Sequence, residues 1–264
     1  MSTDRRTGPL EAALRARRDG GGKCLVPYLT GGLGGDWVET IRAVAAAGAD
    51  VIEVGIPFSD PVMDGPTIQA ANELALGAGA TPTSILDCLR GADVGVPLAV
   101  MTYYNIAYRM GLERFADALL EAGVSGCILP DLPLEEADPW LEVAAAAGVE
   151  SILLAAPTAP DERLPRICER TRGFVYGVGL LGVTGVRAEL AASAIQIATR
   201  LKAVTDVPVL VGVGVGTPGQ AVEASGHGDG VVVGSAVVQR MVDGAGPEGV
   251  AALVADFRSA LDAS

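Results

Sequence analysis

Only two lysines and one histidine occur in this chain, and aromatic residues make up just 4% of it. Each shortage excludes a chemistry. The lysines, Lys23 and Lys202, do not stand at the C-terminal end of an apolar run, so a Schiff-base mechanism lacks its amine. The histidine, His227, lies in SGHGDG ahead of the last apolar run, and no Ser-His-Asp triad is possible except through it. Acid–base work therefore falls to carboxylates, tyrosines or water. The four cysteines (Cys24, Cys88, Cys127 and Cys168) form no CxxC or ligand pair and read as buried core residues of a reducing compartment. No cluster resembles a zinc or magnesium site.

Positive charge is scarce as well. Nineteen Lys and Arg face 32 Asp and Glu, a formal net charge of −13, so no basic stripe is there to meet a nucleic acid. A ligand carrying one phosphate must be held by local groups against that overall field. Gly, Pro or charge interrupts every apolar stretch before it reaches bilayer length, which points to a cytoplasmic protein without a membrane partner. The start, MSTDRRTGPLEAALRARRDGGG, has no apolar signal core, and Asp4, Glu11 and Asp19 argue against a transit peptide. It reads as a short surface helix.

Half of the 264 residues are apolar, enough for a large core. Short β-branched runs alternate with Ala- and Leu-rich helical stretches throughout. The strand candidates are 23–30, 49–55, 96–103, 125–130, 150–156, 173–178, 207–213 and 230–235. Strands this continuously apolar fit a parallel sheet covered on both faces. Eight of them with intervening helices predict a (β/α)₈ barrel spanning 1–264 as one domain, with an extra N-terminal helix and long loops after strands 2 and 6. A doubly wound open sheet is the runner-up, but YLTGGLGGD is a poor match to the glycine fingerprint it needs. Residues 246–264 read as a final amphipathic helix.

In such a barrel the chemistry sits on the loops that follow the strands. Glu53 interrupts the apolar run ADVIEVGIPF, where alternation puts Val51, Glu53 and Gly55 on one face. A carboxylate partly desolvated there exchanges protons near neutral pH; the competing reading is a rim ion pair. Asp60 and Asp64 lie in PFSDPVMDGPTIQ, where Ser-Asp-Pro and Asp-Gly-Pro are also ordinary turn chemistry. The length of that loop, against about two to six residues for a typical βα connection, tilts the balance toward function. YGVGLLGVTGVRAEL reads as a second, irregular loop, a flap. Its GVTG, the VGVGVGTPGQ after strand 7 and the VVVGSAV of strand 8 each bring glycine and a hydroxyl to a helix start, as backbone phosphate sites do.

VPYLTGG, IEVGIPFSDPVMDGPTIQAAN, LPDLPLEE, GVTG and GVVVGSA, in that order, resemble the tryptophan synthase α subunit family. The resemblance runs from about Lys23 to the end of the chain. It implies a TIM barrel that cleaves indole-3-glycerol phosphate to indole and glyceraldehyde 3-phosphate without a cofactor of its own. It implies that Glu53 is the general acid/base, that Asp64 holds the indole N–H, and that Tyr176 is the active-site tyrosine. By the same resemblance Tyr28, Met101 and Leu154 line the indole pocket, and Gly185, Gly214, Gly234 and Ser235 hold the phosphate. Thr184 would meet Asp60 on loop closure, and Pro57 belongs to the same closing, partner-facing loop. The expected partner is a PLP-dependent β subunit in an α2β2 heterotetramer. The chain departs from the family pattern at Gly179, which stands in place of a serine and is followed by Leu180 and Leu181. It departs again at Val213, a substrate-pocket position where the family often has an aromatic. The alternatives are a stand-alone lyase releasing free indole and a catalytically weak barrel serving as an allosteric partner.

Overall fold

The computed structural model describes residues 7–179, 187–212 and 214–264. Its strands are β1 (Cys24–Thr30), β2 (Ile52–Gly55), β3 (Leu98–Met101), β4 (Val124–Ile128), β5 (Glu150–Ala155), β6 (Val175–Val178), β7 (Val209–Gly212) and β8 (Gly230–Val233). They pair in sequence order, all parallel, and β8 returns to β1 to close the barrel. Each expected strand is present; only β4 begins outside its expected range, one residue early.

The helices are α1 (Pro9–Asp19), α2 (Trp37–Ala46), α3 (Pro66–Gly77), α4 (Pro82–Leu89), α5 (Tyr104–Met110) and α6 (Leu112–Glu121). They continue with α7 (Asp138–Ala147), α8 (Arg163–Arg170), α9 (Arg187–Lys202), α10 (Pro218–Ser225), α11 (Ser235–Val242) and α12 (Gly246–Asp262). The last is the final helix expected from the sequence. Alternation along the strands builds two layers of core. Leu29, Ile52, Val54 and Val100 point outward and pack under the helices with Ile41, Phe115 and Trp140. Val26, Val51, Ala99, Ile128, Ile152 and Leu210 point inward and fill the barrel. Burial on both sides is why these strands read as continuous apolar runs.

Two expectations fail. Helix α1 is no surface helix: Leu10 and Leu14 are fully buried and belong to the inward cluster with Cys24, Ile152 and Phe174. It plugs the N-terminal end of the barrel. Its N-cap, Gly8, has no capping side chain, and the carboxylate of Glu150 on β5 takes that role. Glu150 accepts hydrogen bonds from the backbone N–H of Leu10 at 2.8 Å and of Glu11 at 2.9 Å. The arginines of α1 keep one side polar, while the apolar i, i+4 pair finds a partner far away in sequence. Cys88 is also misplaced by the sequence reading. It is exposed on α4, whereas Cys24, Cys127 and Cys168 are buried.

The loop between β2 and α3 covers residues 56–65, long for a βα connection. After β6, helix α9 begins at Arg187, so the last four residues of the segment read as loop, 187–190, are helical. The expected flap residues Leu180, Leu181, Thr184 and Gly185, and the pocket position Val213, lie outside the described residues.

Candidate active site

The inward face of the barrel's C-terminal half carries the candidate residues. Tyr28 on β1 is in register with Glu53 on β2, and Leu154 on β5 with Tyr176 on β6. Met101, Leu154 and Tyr176 pack, partly buried, on the inward cluster that fills the barrel below them. Two glycines make room for the phenols. A Cβ on Gly55 would lie 1.9 Å from the Tyr28 hydroxyl oxygen, and one on Gly212 would lie 2.8 Å from that of Tyr176. Each ring therefore lies across a strand position that has no side chain, a close approach only glycine permits.

Glu53 is fully buried, and neither of its carboxylate oxygens has a hydrogen-bond partner among the described residues. That removes the rim ion pair as an explanation for it. A buried carboxylate without partners is costly when ionised, so it holds its proton. Burial, reinforced by the nearby Asp64, pushes its pKa up to about 8. The sequence placed Glu53 on the barrel-facing side with Val51, and the structure agrees.

Asp64 approaches from the loop above. Its backbone N–H donates to the Pro61 carbonyl at 3.0 Å, and its own carbonyl accepts from Gln69 Nε2 at 2.8 Å. Its Oδ2 accepts from Asn72 Nδ2 at 3.2 Å. Burial raises its pKa to about 6, with the Asn72 hydrogen bond pulling the other way. Tyr103 braces the same loop: its hydroxyl accepts from Met63 N–H at 2.9 Å and its ring stacks on Phe58. Asp60 stands exposed, taking a 2.6 Å hydrogen bond from Ser59 Oγ, while Pro57 is buried at the loop's base. The phenol of Tyr176 is pushed well up, by burial first and then by Glu53, Tyr28 and Asp64. Two carboxylates and two tyrosines thus act on one another's protonation within the barrel mouth.

Beside β1, β8 runs straight into α11. Gly234 is the N-cap, Ser235 is the first helical residue, and the Gly234 carbonyl accepts from Val238 N–H at 3.0 Å. The N–H groups of that first turn are left for another acceptor. After β7, Gly214 has φ +47°, a left-handed backbone that favours glycine, and Thr217 caps α10. Gly234 and Gly214 thus both present backbone at the strand C-termini. His227 is exposed beyond α10, before β8, away from this mouth. Among the described residues no group of His, Cys, Asp or Glu could hold a metal ion.

Asn72 and Tyr103 were not singled out from the sequence. The only signal was spacing: Gln69 and Asn72 stand three apart at the start of the helix that follows the loop, so both reach back toward it.

A parallel barrel whose mouth holds a desolvated carboxylate, a second carboxylate on a long loop and apolar walls has the site of an enzyme that transfers protons on a largely apolar substrate. Residues 14–260 match the family described as Tryptophan synthase alpha chain. Over 94% of both chains the sequence is 46% identical to a tryptophan synthase alpha chain of Streptomyces coelicolor. It is 42% identical to that of Microcystis aeruginosa, over 93% of this chain and 95% of the relative. The structure is similar to a chain of Mycobacterium tuberculosis tryptophan synthase, with a TM-score of 0.89 and 37% identity, covering 97% of this chain and 99% of that one. The chain belongs to the tryptophan synthase alpha chain family, which places it among the carbon–carbon lyases of tryptophan biosynthesis.

Proposed function

We propose that the chain, as one barrel domain over 1–264, cleaves indole-3-glycerol phosphate to indole and glyceraldehyde 3-phosphate. The observation that carries the reading is Glu53: buried, without a hydrogen-bond partner among the described residues, and protonated near neutral pH beside an acid that ionises more readily. Glu53 delivers its proton to C3 of the indole ring. The positive charge that appears on the ring is matched by Asp64, which accepts a hydrogen bond from N1–H. Glu53, now a carboxylate, removes the proton of the side-chain hydroxyl adjacent to the ring. As that oxygen becomes a carbonyl, the carbon–carbon bond breaks, its electrons return to the ring, and Glu53 regains its proton. Proton and electron counts close without a cofactor supplied by this chain.

Tyr28, Met101, Leu154 and Tyr176 flank the ring in this reading. The phosphate rests on backbone N–H groups of Gly234, Ser235 and Gly214. The exposed Asp60 and the loop anchored at Pro57 face a β subunit that carries PLP and consumes the indole. Such a complex places the chain in the cytoplasm; no helix among the described residues is long and apolar enough to cross a membrane.

The test is indole release from indole-3-glycerol phosphate by the purified chain, with and without an added tryptophan synthase β subunit. Slow release that accelerates at least tenfold with the partner supports the two-component enzyme. Fast release indifferent to the partner replaces it with a free-standing lyase, and no release under either condition overturns the reading. Glu53→Gln removes turnover by roughly a thousandfold or more, while retaining affinity for the phosphorylated substrate.

A further inference from the structure

Resting on the role just given to Asp64, we propose that Asn72 is a positioning residue of the reaction. Its carboxamide fixes one oxygen of Asp64 and leaves the other free to meet the substrate N–H. The geometry has three parts. First, Asn72 lies on the inner side of α3, only 3% exposed, and its Nδ2 donates to Asp64 Oδ2 at 3.2 Å across eight residues of chain. Second, one turn earlier on the same helix Gln69 holds the Asp64 backbone carbonyl, so α3 grips this residue at both main chain and side chain. Third, the other end of the Asn72 carboxamide, Oδ1, is buried with no hydrogen-bond partner among the described residues.

The last point separates function from architecture. A buried amide that satisfies one end and leaves the other bare contributes little to folding, because the orphaned carbonyl oxygen costs about as much as one hydrogen bond returns. A side chain kept only for packing would be apolar there. An amide that must donate to a carboxylate is explained if the carboxylate has to stay ionised and face one way. What otherwise acts on Asp64 is burial, which works against its charge. Glu53 lies below it, and the phenols of Tyr28, Tyr176 and Tyr103 surround it, each held neutral by burial with Asp64 adding to the upward push. Among the described groups, Asn72 is the side chain that donates to the Asp64 carboxylate.

The experiment compares wild type with Asn72→Leu, which keeps the volume and removes the donor, and with Asn72→Asp, which keeps the shape and replaces the donor with an acceptor. Three readouts are taken: the thermal midpoint, the Asp64 carboxyl titration by carbon-13 NMR, and the pH profile of kcat/KM for indole release. Asn72→Leu is expected to unfold within a few degrees of wild type while kcat falls at least tenfold with KM changed little. Its Asp64 titration and the acid limb of its profile move to higher pH together. Asn72→Asp moves both further, and the alkaline limb stays in place in Asn72→Leu. An Asp64 titration unchanged in both variants overturns the proposal, as does a loss of activity that merely tracks a loss of stability. Asp64→Asn serves as the control for the underlying reading. If that variant keeps full turnover, the assignment of Asp64 itself fails, whatever Asn72 does to its titration.

Discussion

Glu53 and Asp64 divide the work because their surroundings separate their proton affinities. Asp64, near 6, is ionised where Glu53, near 8, still holds its proton, and the reaction needs that combination at its first step. The profile of kcat/KM against pH is therefore expected to be a bell, rising near pH 6 as Asp64 ionises and falling near pH 8 as Glu53 loses its proton. A profile flat across that window removes one of the two from the mechanism. Glu53 was legible in the sequence because an acid within an apolar strand conflicts with everything around it. Asn72 was not: an amide in the first turns of a helix is ordinary until the preceding loop folds back onto it.

Helix α1 shows how an element can be assigned correctly and placed wrongly. Its extent follows from Pro9 at the first helical position and from the i, i+4 spacing of Leu10 and Leu14. Its partner, the floor of the barrel, is assembled from strands spread over two hundred residues and leaves no trace near the helix. Leu14→Ala is expected to lower the stability to urea by about 2–5 kcal/mol, the range for a large-to-small change in a closed core. Because the plug lies at the opposite end from Glu53, kcat at a temperature where the variant stays folded is expected to remain within about twofold of wild type. A mutant that unfolds like wild type would return α1 to the surface. The loop after β2 is the complementary case: its Gly and Pro content announced irregular backbone, and its length announced function, but the clamp of Tyr103 and Gln69 upon it exists only in the folded barrel.

Across the molecule, burial raises the pKa of three carboxyl groups: Glu53 to about 8, Glu150 to about 7 and Asp64 to about 6. The sign follows directly. Each native pKa lies above its ordinary value, so the folded state binds protons the unfolded state has released, and stability falls as pH rises through the interval between the two. The midpoint of thermal unfolding is therefore expected to drop between about pH 5 and about pH 8.5, with unfolding in that interval releasing protons that calorimetry in buffers of different ionisation enthalpy would count. Glu53→Gln is expected to flatten much of that slope and to stabilise the protein most at the alkaline end, by about 1–3 kcal/mol. A midpoint that climbs with pH instead would mean that the buried acids are compensated by groups the mouth does not show.

By itself the sequence determined the (β/α)₈ architecture, the order of its strands and the identity of the acid inside it. These properties are local: strand runs, helix stops and a misplaced charge are written in consecutive residues. It also carried the family resemblance, since EVGIPFSDP and DGPTIQ are contiguous strings. Only the tertiary structure decided that α1 is a plug, that Glu150 at the start of β5 caps it and that Asn72 grips Asp64. Those pairings join residues far apart in the chain or across a loop of free length: closing the barrel brings Glu150 to α1, and the fold of the loop onto α3 brings Asp64 to Asn72.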